Sequence, residues 1–535
     1  HPHRAAITTP AASDDPRQDL LAALDALRTG LPHPGLTSHH LTPQAGKIVF
    51  VLPGQGAQYP TMGHQLYAHH RSFADTLDEV CAALDPHLDV SLRKVLSAEA
   101  DGASAELLHQ TTYAQPALFA FGVAMHAALV SAGITPDCLL GHSIGELTAA
   151  YIAGVFSLPD AAVLVSARGR LMQACAPGAM LAIQASEHNI LALLDQYPDT
   201  ALAAINSPTS VVVAGPFDQL DRLRDYCASQ HYKATPLKVS HAFHSPAMDP
   251  ALPEFEAIAA GVTLRPPTVP ILSNLTGQLA TPDQLTSPRY WTQHLRQSVR
   301  FHDCVARLLA QGEHTFVELS PHPVLAPAIT DTLAQAGEPT GSAVITTLHR
   351  DRPDLDTLTS TLAQLHTHGH SPSWTSLYGQ PPTVALPTYP FEHRRYWLSP
   401  ATSADVSAAG LDRPDHPLLG AITHLADQDQ IVVSGRLAIT THRWLTGHQV
   451  NDRIIFPATG FVELVLHAGQ HAHTPVIDEL ILHTPLVLSE HTPTDVQITI
   501  HPPTETHQRP FTVPSRSQVG VGGGVRVVVR VRRGI

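Results

Sequence analysis

The chain has 535 residues, of which 43% are hydrophobic and 15% charged, with a formal charge of −14. That length accommodates about three to four domains, and the acidic balance excludes a general attraction to nucleic acid or to anionic membranes. No apolar run reaches the ~18 residues that a membrane span requires, and His1-Pro2-His3-Arg4 lacks signal-peptide form, so the expected setting is cytoplasmic.

Five scattered cysteines (Cys81, Cys138, Cys175, Cys227, Cys304) form no C-x-x-C pair, which points to reduced packing thiols rather than a disulfide framework or zinc ribbon. Two histidine clusters, His366/His368/His370 and His467/His471/His473, lack the helical H-E-x-x-H form. The first lies in a Ser/Pro/Gly-rich stretch and is expected to be a solvated loop, so no metal site is expected.

Residues 1–46 carry Pro and small polar residues around one helical pattern, Leu20, Leu21, Leu24 and Leu27, between Asp19 and Gly30. A strand, Ile48 to Leu52, then runs into Pro53-Gly54-Gln55-Gly56. Glycines on both sides of Gln55 leave its backbone N–H exposed on a tight turn, as an oxyanion donor would be; an ordinary strand-to-helix turn is the plainer alternative. Amphipathic helices are expected from about 105 to 176. Within them, Leu139-Leu140 leads into Gly141-His142-Ser143-Ile144-Gly145 and then a helix-forming stretch. This is the strand, sharp turn and helix of a nucleophile elbow, with Ser143 at the bend and the positive end of a helix dipole beside it. Such a site suits acyl transfer. Arg168, in the helical pattern Ala161 to Met172, forms a structural ion pair or clamps a carboxylate with two parallel hydrogen bonds.

From 180 to 239 short strands (Met180 to Ile183, Val211 to Ala214) alternate with helices around Ile190 to Gln196 and Gln219 to Ser229, the β-α-β-β-α-β rhythm of a small inserted subdomain. Next comes His241-Ala242-Phe243-His244, and either histidine is a candidate base for Ser143. A strand is expected at Phe316 to Leu319, and Pro381 to Pro390 marks a linker.

Taken together, Pro53-Gly54-Gln55-Gly56, Gly141-His142-Ser143-Ile144-Gly145-Glu146, Arg168, Asn206-Ser207-Pro208, His241-Ala242-Phe243-His244 and Glu318-Leu319-Ser320-Pro321-His322-Pro323 resemble the acyltransferase domain of modular type I polyketide synthases, which is similar to malonyl-CoA:acyl carrier protein transacylase. The resemblance covers residues 47–345. It implies an α/β-hydrolase-like core with a ferredoxin-like subdomain at 180–239, preceded at 1–46 by the end of a ketosynthase-to-acyltransferase linker and followed at 346–400 by a linker. Within that linker, Leu386 to Trp397 looks like the segment that packs back on such domains. The resemblance makes Ser143 the nucleophile and His244, rather than His241, its base, oriented by a backbone carbonyl near His294. The N–H groups of Gln55 and Ile144 become the oxyanion hole, and Arg168 the clamp on the extender unit's free carboxylate. His241, Phe243 and Ile144 are the residues that accompany malonyl selection. Malonyl-CoA and the phosphopantetheine of an acyl carrier protein are the implied substrates, other synthase domains the implied partners, and no bound cofactor is implied.

His416-Pro417-Leu418-Leu419-Gly420, Trp444-Leu445-x-x-His448 and Phe456-Pro457 resemble the N-terminal hot-dog half of a polyketide synthase dehydratase, here 412–516. Asp452 stands where the pattern has glycine, and Ala458 where glycine often follows the proline. The aspartate partner of His448 belongs to a second hot-dog fold, so this half is expected to be incomplete and His448 vestigial. Residues 517–535 are basic and low in complexity, and are read as an aberrant, frame-shifted tail with little to bury against, an aggregation hazard. Two rival readings share parts of this pattern. An α/β-hydrolase esterase has the same elbow but uses an H-G-G-G-type loop that is absent here; a truncated, non-catalytic synthase fragment would explain the missing ketosynthase.

Overall fold

The computed structural model describes residues 2–41, 46–98, 102, 104–337, 341–379, 387–388, 405–506, 508–517 and 527–532. The chain divides into two units, residues 1–384 and 385–535.

In the first unit the apolar run at Ile48 has no polar alternation, and a strand apolar on both faces belongs in a parallel sheet covered by helices on both sides. Lys47–Leu52 is the central strand of a five-stranded parallel sheet. Cys138–Gly141 and His314–Glu318 flank it, with Ile271–Leu272 and Ala343–Thr346 at the edges. The helix Thr111–Ser131 is apolar all round and mostly buried in this core. By length and composition it could cross a membrane, which corrects the expectation that no segment is long enough, but the core takes up its apolar surface.

The inserted subdomain is a four-stranded antiparallel sheet built from Ala179–Ile183, Ala201–Ser207, Ser210–Gly215 and Ala234–Pro236, in the spatial order second, third, first, fourth. The helices Glu187–Leu194 and Phe217–Ser229 complete a ferredoxin-like arrangement. Its core is its own, centred on Ile183, Ile190, Val211, Val213 and Leu223.

Near the N-terminus the expected helix forms as Pro16–Thr29, capped by Asp15 and ended by Gly30 in the left-handed conformation. It stands between two strands unread in the sequence, His3–Ile7 and Leu36–His40, which pair antiparallel. Its leucines are not the buried face: Leu20, Leu21, Leu24 and Leu27 are exposed, while Ala23 and Ala26 are buried, the small side chains being the ones covered. The histidines at 366–370 are not a solvated loop. His366 lies in the helix Asp354–Thr367 and His368 stacks on His39, because the helix end packs against the N-terminal strand pair, while His370 Nε2 bonds Thr315 Oγ1 on the core strand His314–Glu318. All five cysteines are buried and free, and no group of metal-ligating side chains occurs among the described residues. Of the segment Leu386 to Trp397, only 387–388 fall among the described residues.

In the second unit a mixed-length antiparallel sheet wraps the helix Ala458–His471, whose Phe461, Leu464, Val465 and Ala468 are buried. The strands run in the order Ala421–His424, Ile431–Leu437, Thr494–Ile500, Gln508–Thr512, Val527–Arg532 and Val476–Leu482. Residues 527–532 are thus neither an edge nor short of partners. They pair on both sides, and Val529 and Val531 are buried, which corrects the expectation of a run with little to bury against. Asp452 also fits its turn. Asn451 and Asp452 form the two-residue loop between Gln449–Val450 and Arg453–Ile454, both at positive φ (49° and 59°). Asn and Asp are the non-glycine residues that best tolerate that region.

Candidate active site

The elbow forms where the strand Cys138–Gly141 stops and the helix Ile144–Ile152 begins. Ser143 sits between them at φ 53°, ψ −120°, a strained conformation for a residue with a side chain. Close approach explains the glycine that follows: a Cβ on Gly145 would stand 2.2 Å from the Leu52 carbonyl oxygen. The same geometry brings the Pro53 to Gly56 turn alongside, since a Cβ on Gly54 would lie 3.6 Å from Ser143 Cβ.

His244, rather than His241, meets the serine. Its Nε2 lies 2.8 Å from Ser143 Oγ, and its Nδ1–H donates to the Gln297 carbonyl at 2.9 Å. That second bond fixes the tautomer in which Nε2 accepts a proton. Burial, then the Arg168 cation, His294 and His142, hold the imidazole well below its ordinary pKa, so it stands neutral. His241 faces elsewhere: its Nδ1 is 2.8 Å from Ser240 Oγ, and its ring lies behind Phe243 with centroids 5.9 Å apart. The orienting carbonyl belongs to Gln297, three positions beyond His294, while His294 itself lies against Glu146.

Arg168, on the helix Leu158–Ala174, is 1% exposed and donates Nη2 to Ser143 Oγ at 3.0 Å. Its Nε and Nη1 are buried without a hydrogen-bond partner among the described residues. Burial lowers its pKa to about 9, against the pull of Glu146. A guanidinium so placed has unmet donors beside the Ser143 hydroxyl, a setting chemically suited to an anion.

The backbone N–H groups of Gln55 and Ile144 make no hydrogen bond among the described residues. The Ser143 N–H, in contrast, is taken by Asn274 Oδ1 at 3.3 Å. Ile144 and Phe243 are both buried, and the Gln55 side chain is held by Gln115 Nε2 at 3.1 Å. In the second unit His448 is exposed; its Nδ1–H donates to the Ile455 carbonyl at 2.7 Å.

Several neighbours of the site were given no role from the sequence: Gln115, Glu146, Asn274 and Tyr290, which are buried, and Gln297, whose side chain is exposed. Glu146 was within reach of sequence reasoning, as a charged residue in an otherwise apolar helix start. Gln297 acts through its main chain, which leaves no side-chain signature.

A hydroxyl hydrogen-bonded to a neutral imidazole, next to two N–H groups without partners among the described residues, is equipped to take up an acyl group from an ester or thioester. The class is therefore serine-based acyl transfer. Residues 49–372 match the acyl transferase domain family and residues 416–516 the polyketide synthase dehydratase domain family. The chain belongs to the acyltransferases of modular polyketide synthases, with the N-terminal part of a dehydratase domain following. It is 43% identical over 507 residues to a spectinabilin polyketide synthase system protein of Streptomyces orinoci, covering 94% of this chain and 23% of that protein. It is also 43% identical over 508 residues to the mycoketide-CoA synthase of Mycobacterium tuberculosis, covering 95% of this chain and 12% of that one. Among solved structures, the acyltransferase domain from the second module of the salinomycin polyketide synthase superposes with a TM-score of 0.65 at 40% identity, over 73% of this chain and 89% of that domain. The chain thus spans a quarter or less of the length of these two curated relatives.

Proposed function

We propose that the chain loads a malonyl group from malonyl-CoA onto Ser143 and passes it to the phosphopantetheine thiol of an acyl carrier protein within a larger synthase. The observation that carries this reading is Arg168, a fully buried cation bonded to the nucleophile with two nitrogen positions unmet. Malonyl presents the carboxylate that matches them, two bonds from the carbonyl under attack.

In the first half-reaction His244 Nε2 takes the Ser143 hydroxyl proton as Oγ bonds to the thioester carbonyl carbon. The resulting oxyanion faces the N–H groups of Gln55 and Ile144. Collapse breaks the C–S bond, and coenzyme A leaves as the thiol, carrying the proton from His244. The second half-reaction repeats these steps with the carrier thiol as nucleophile and Ser143 Oγ as leaving group, so the enzyme ends unchanged. The Gln297 carbonyl supports this role for His244, because it holds the imidazole in one tautomer throughout. Phe243, 6% exposed and backed by the His241 ring, occupies space that an α-methyl group would require, which favours malonyl over methylmalonyl.

Incubation of the full chain with labelled malonyl-CoA, read by intact mass, tests the reading. One malonyl adduct is expected on the native chain and none on Ser143→Ala; an adduct that survives the substitution overturns the assignment.

A further inference from the structure

A strained serine has to be held, and the two elbow glycines permit the turn without pulling on it. Asn274 does the pulling. It is 1% exposed, and its amide spans the turn: Oδ1 accepts the Ser143 N–H at 3.3 Å, and Nδ2 donates to the Gly141 carbonyl at 2.6 Å. One side chain thereby ties the last carbonyl of the strand to the main chain of the nucleophile. The backbone of Asn274 is held in turn, because its N–H donates to Glu146 Oε2 at 2.8 Å, on the helix that starts just after Ser143. Glu146 is fully buried, and its other oxygen accepts the Tyr290 hydroxyl. Tyr290 Oη also lies 2.7 Å from Ser273 Oγ, so the residue before Asn274 joins the same network. A carboxylate enclosed without water is costly unless its oxygens are bonded, and here both are. Burial and the Glu146 charge keep the Tyr290 hydroxyl protonated, and so able to donate, well above its ordinary range.

We propose that Glu146 and Asn274 are positioning residues: the buried carboxylate fixes the loop that carries Asn274, and the Asn274 amide clamps the elbow so that Ser143 Oγ stands between His244 and Arg168. The clamp has a second effect. Because the Ser143 N–H is occupied, the developing oxyanion is left to the N–H groups of Ile144 and Gln55 alone. The inference rests on the reading of Ser143 as the acylated nucleophile.

A displaced nucleophile slows attack on any acyl group, whereas loss of the carboxylate clamp slows only attack on malonyl. The test uses the full chain with Asn274→Ala, measuring kcat and KM for malonyl and for acetyl transfer from their coenzyme A thioesters. We expect kcat to fall roughly 100-fold for both acyl groups alike, with KM unchanged, since a misplacement of about 1 Å costs on that order. Glu146→Gln, which keeps the volume and one acceptor oxygen, is expected to lose about tenfold, again equally for both. Where Asn274→Ala does not fold, Glu146→Gln carries the test. Native kcat in the folded variant, a loss confined to malonyl, or a rise in KM at constant kcat would each overturn the proposal. Failure of the native chain to form a malonyl adduct would instead overturn the function proposed above, so the two failures are distinguishable.

Discussion

Two histidines in this molecule are oriented in the same way and come to different ends. His244 and His448 each donate Nδ1–H to a main-chain carbonyl, that of Gln297 in one unit and of Ile455 in the other. Each therefore presents Nε2 outward in the basic tautomer. His244 is buried, with Nε2 on a serine hydroxyl, a cation alongside and its basicity lowered by enclosure. His448 is exposed, and its Nε2 meets no hydrogen-bond partner among the described residues. A fixed tautomer is thus the smaller part of a site. The larger part is a group facing the imidazole, together with walls that keep water away from both.

The widest gap between these two histidines should appear on removal. His244→Ala is expected to slow malonyl loading by roughly 10²- to 10⁴-fold, the ordinary contribution of a positioned base, and His448→Ala to leave it unchanged. Single-turnover acylation rates of the two variants decide this; equal rates would erase the distinction.

A smaller effect separates the base from the clamp. Arg168→Ala removes charge-assisted hydrogen bonds worth about 1.5–3 kcal/mol, so malonyl transfer should fall by roughly 10- to 150-fold while acetyl transfer, which offers no carboxylate, falls far less. An equal loss for both acyl groups would make Arg168 a structural residue only. The same cation sets a pH limb. Arg168 must be charged to hold malonyl, and its pKa is lowered to about 9, so malonyl kcat/KM should decline as pH rises through about 9. His244 must be neutral, and its pKa lies well below the ordinary 6.5, so the acid limb should fall well under pH 6.5. An alkaline limb of equal size in acetyl transfer would assign that limb to a group other than the clamp.

The smallest expected effect concerns selectivity. Replacing His241 and Phe243 together by Tyr and Ser should relax the preference for malonyl over methylmalonyl by about tenfold without inverting it, since Ile144 remains and one methyl group is worth only about 1–3 kcal/mol. Competition between the two thioesters, read from the mass of the Ser143 adduct, measures the ratio. Methylmalonyl loading at or above malonyl in the native chain would refute the role of Phe243.

The parts of the site that are legible in the sequence are those in which one short stretch carries both the residue and its backbone setting. The elbow is legible because glycine at 145 and apolar residues at 139–140 declare the turn, and Gln55 because glycines flank it. Which of His241 and His244 faces the serine could not be read from spacing alone; the resemblance chose His244, and the geometry places it there. Asn274 was invisible for a different reason. It lies 131 positions from Ser143 in an ordinary-looking loop, and only the packing of the edge strand Ile271–Leu272 against Cys138–Gly141 brings it to the elbow. At the N-terminus the leucine pattern marks the helix but not its buried face, because periodicity reports that an apolar stripe exists and not what covers it. Asp452 stands where the family pattern has glycine, but the physical requirement there is a positive φ, which aspartate meets.

The place of residues 527–532 within the second unit bears on how that unit is made. Among the described residues, Val476–Leu482 has no ladder partner other than Val527–Arg532, which follows it by more than forty positions. A ribosome delivers the earlier strand first, so its N–H and C=O groups must wait, solvated and open to other chains, until the later one emerges. Delayed pairing of that kind is when nascent strands go astray. Closure of the sheet during synthesis is therefore timed by residues 527–532, whatever the stability of the finished fold.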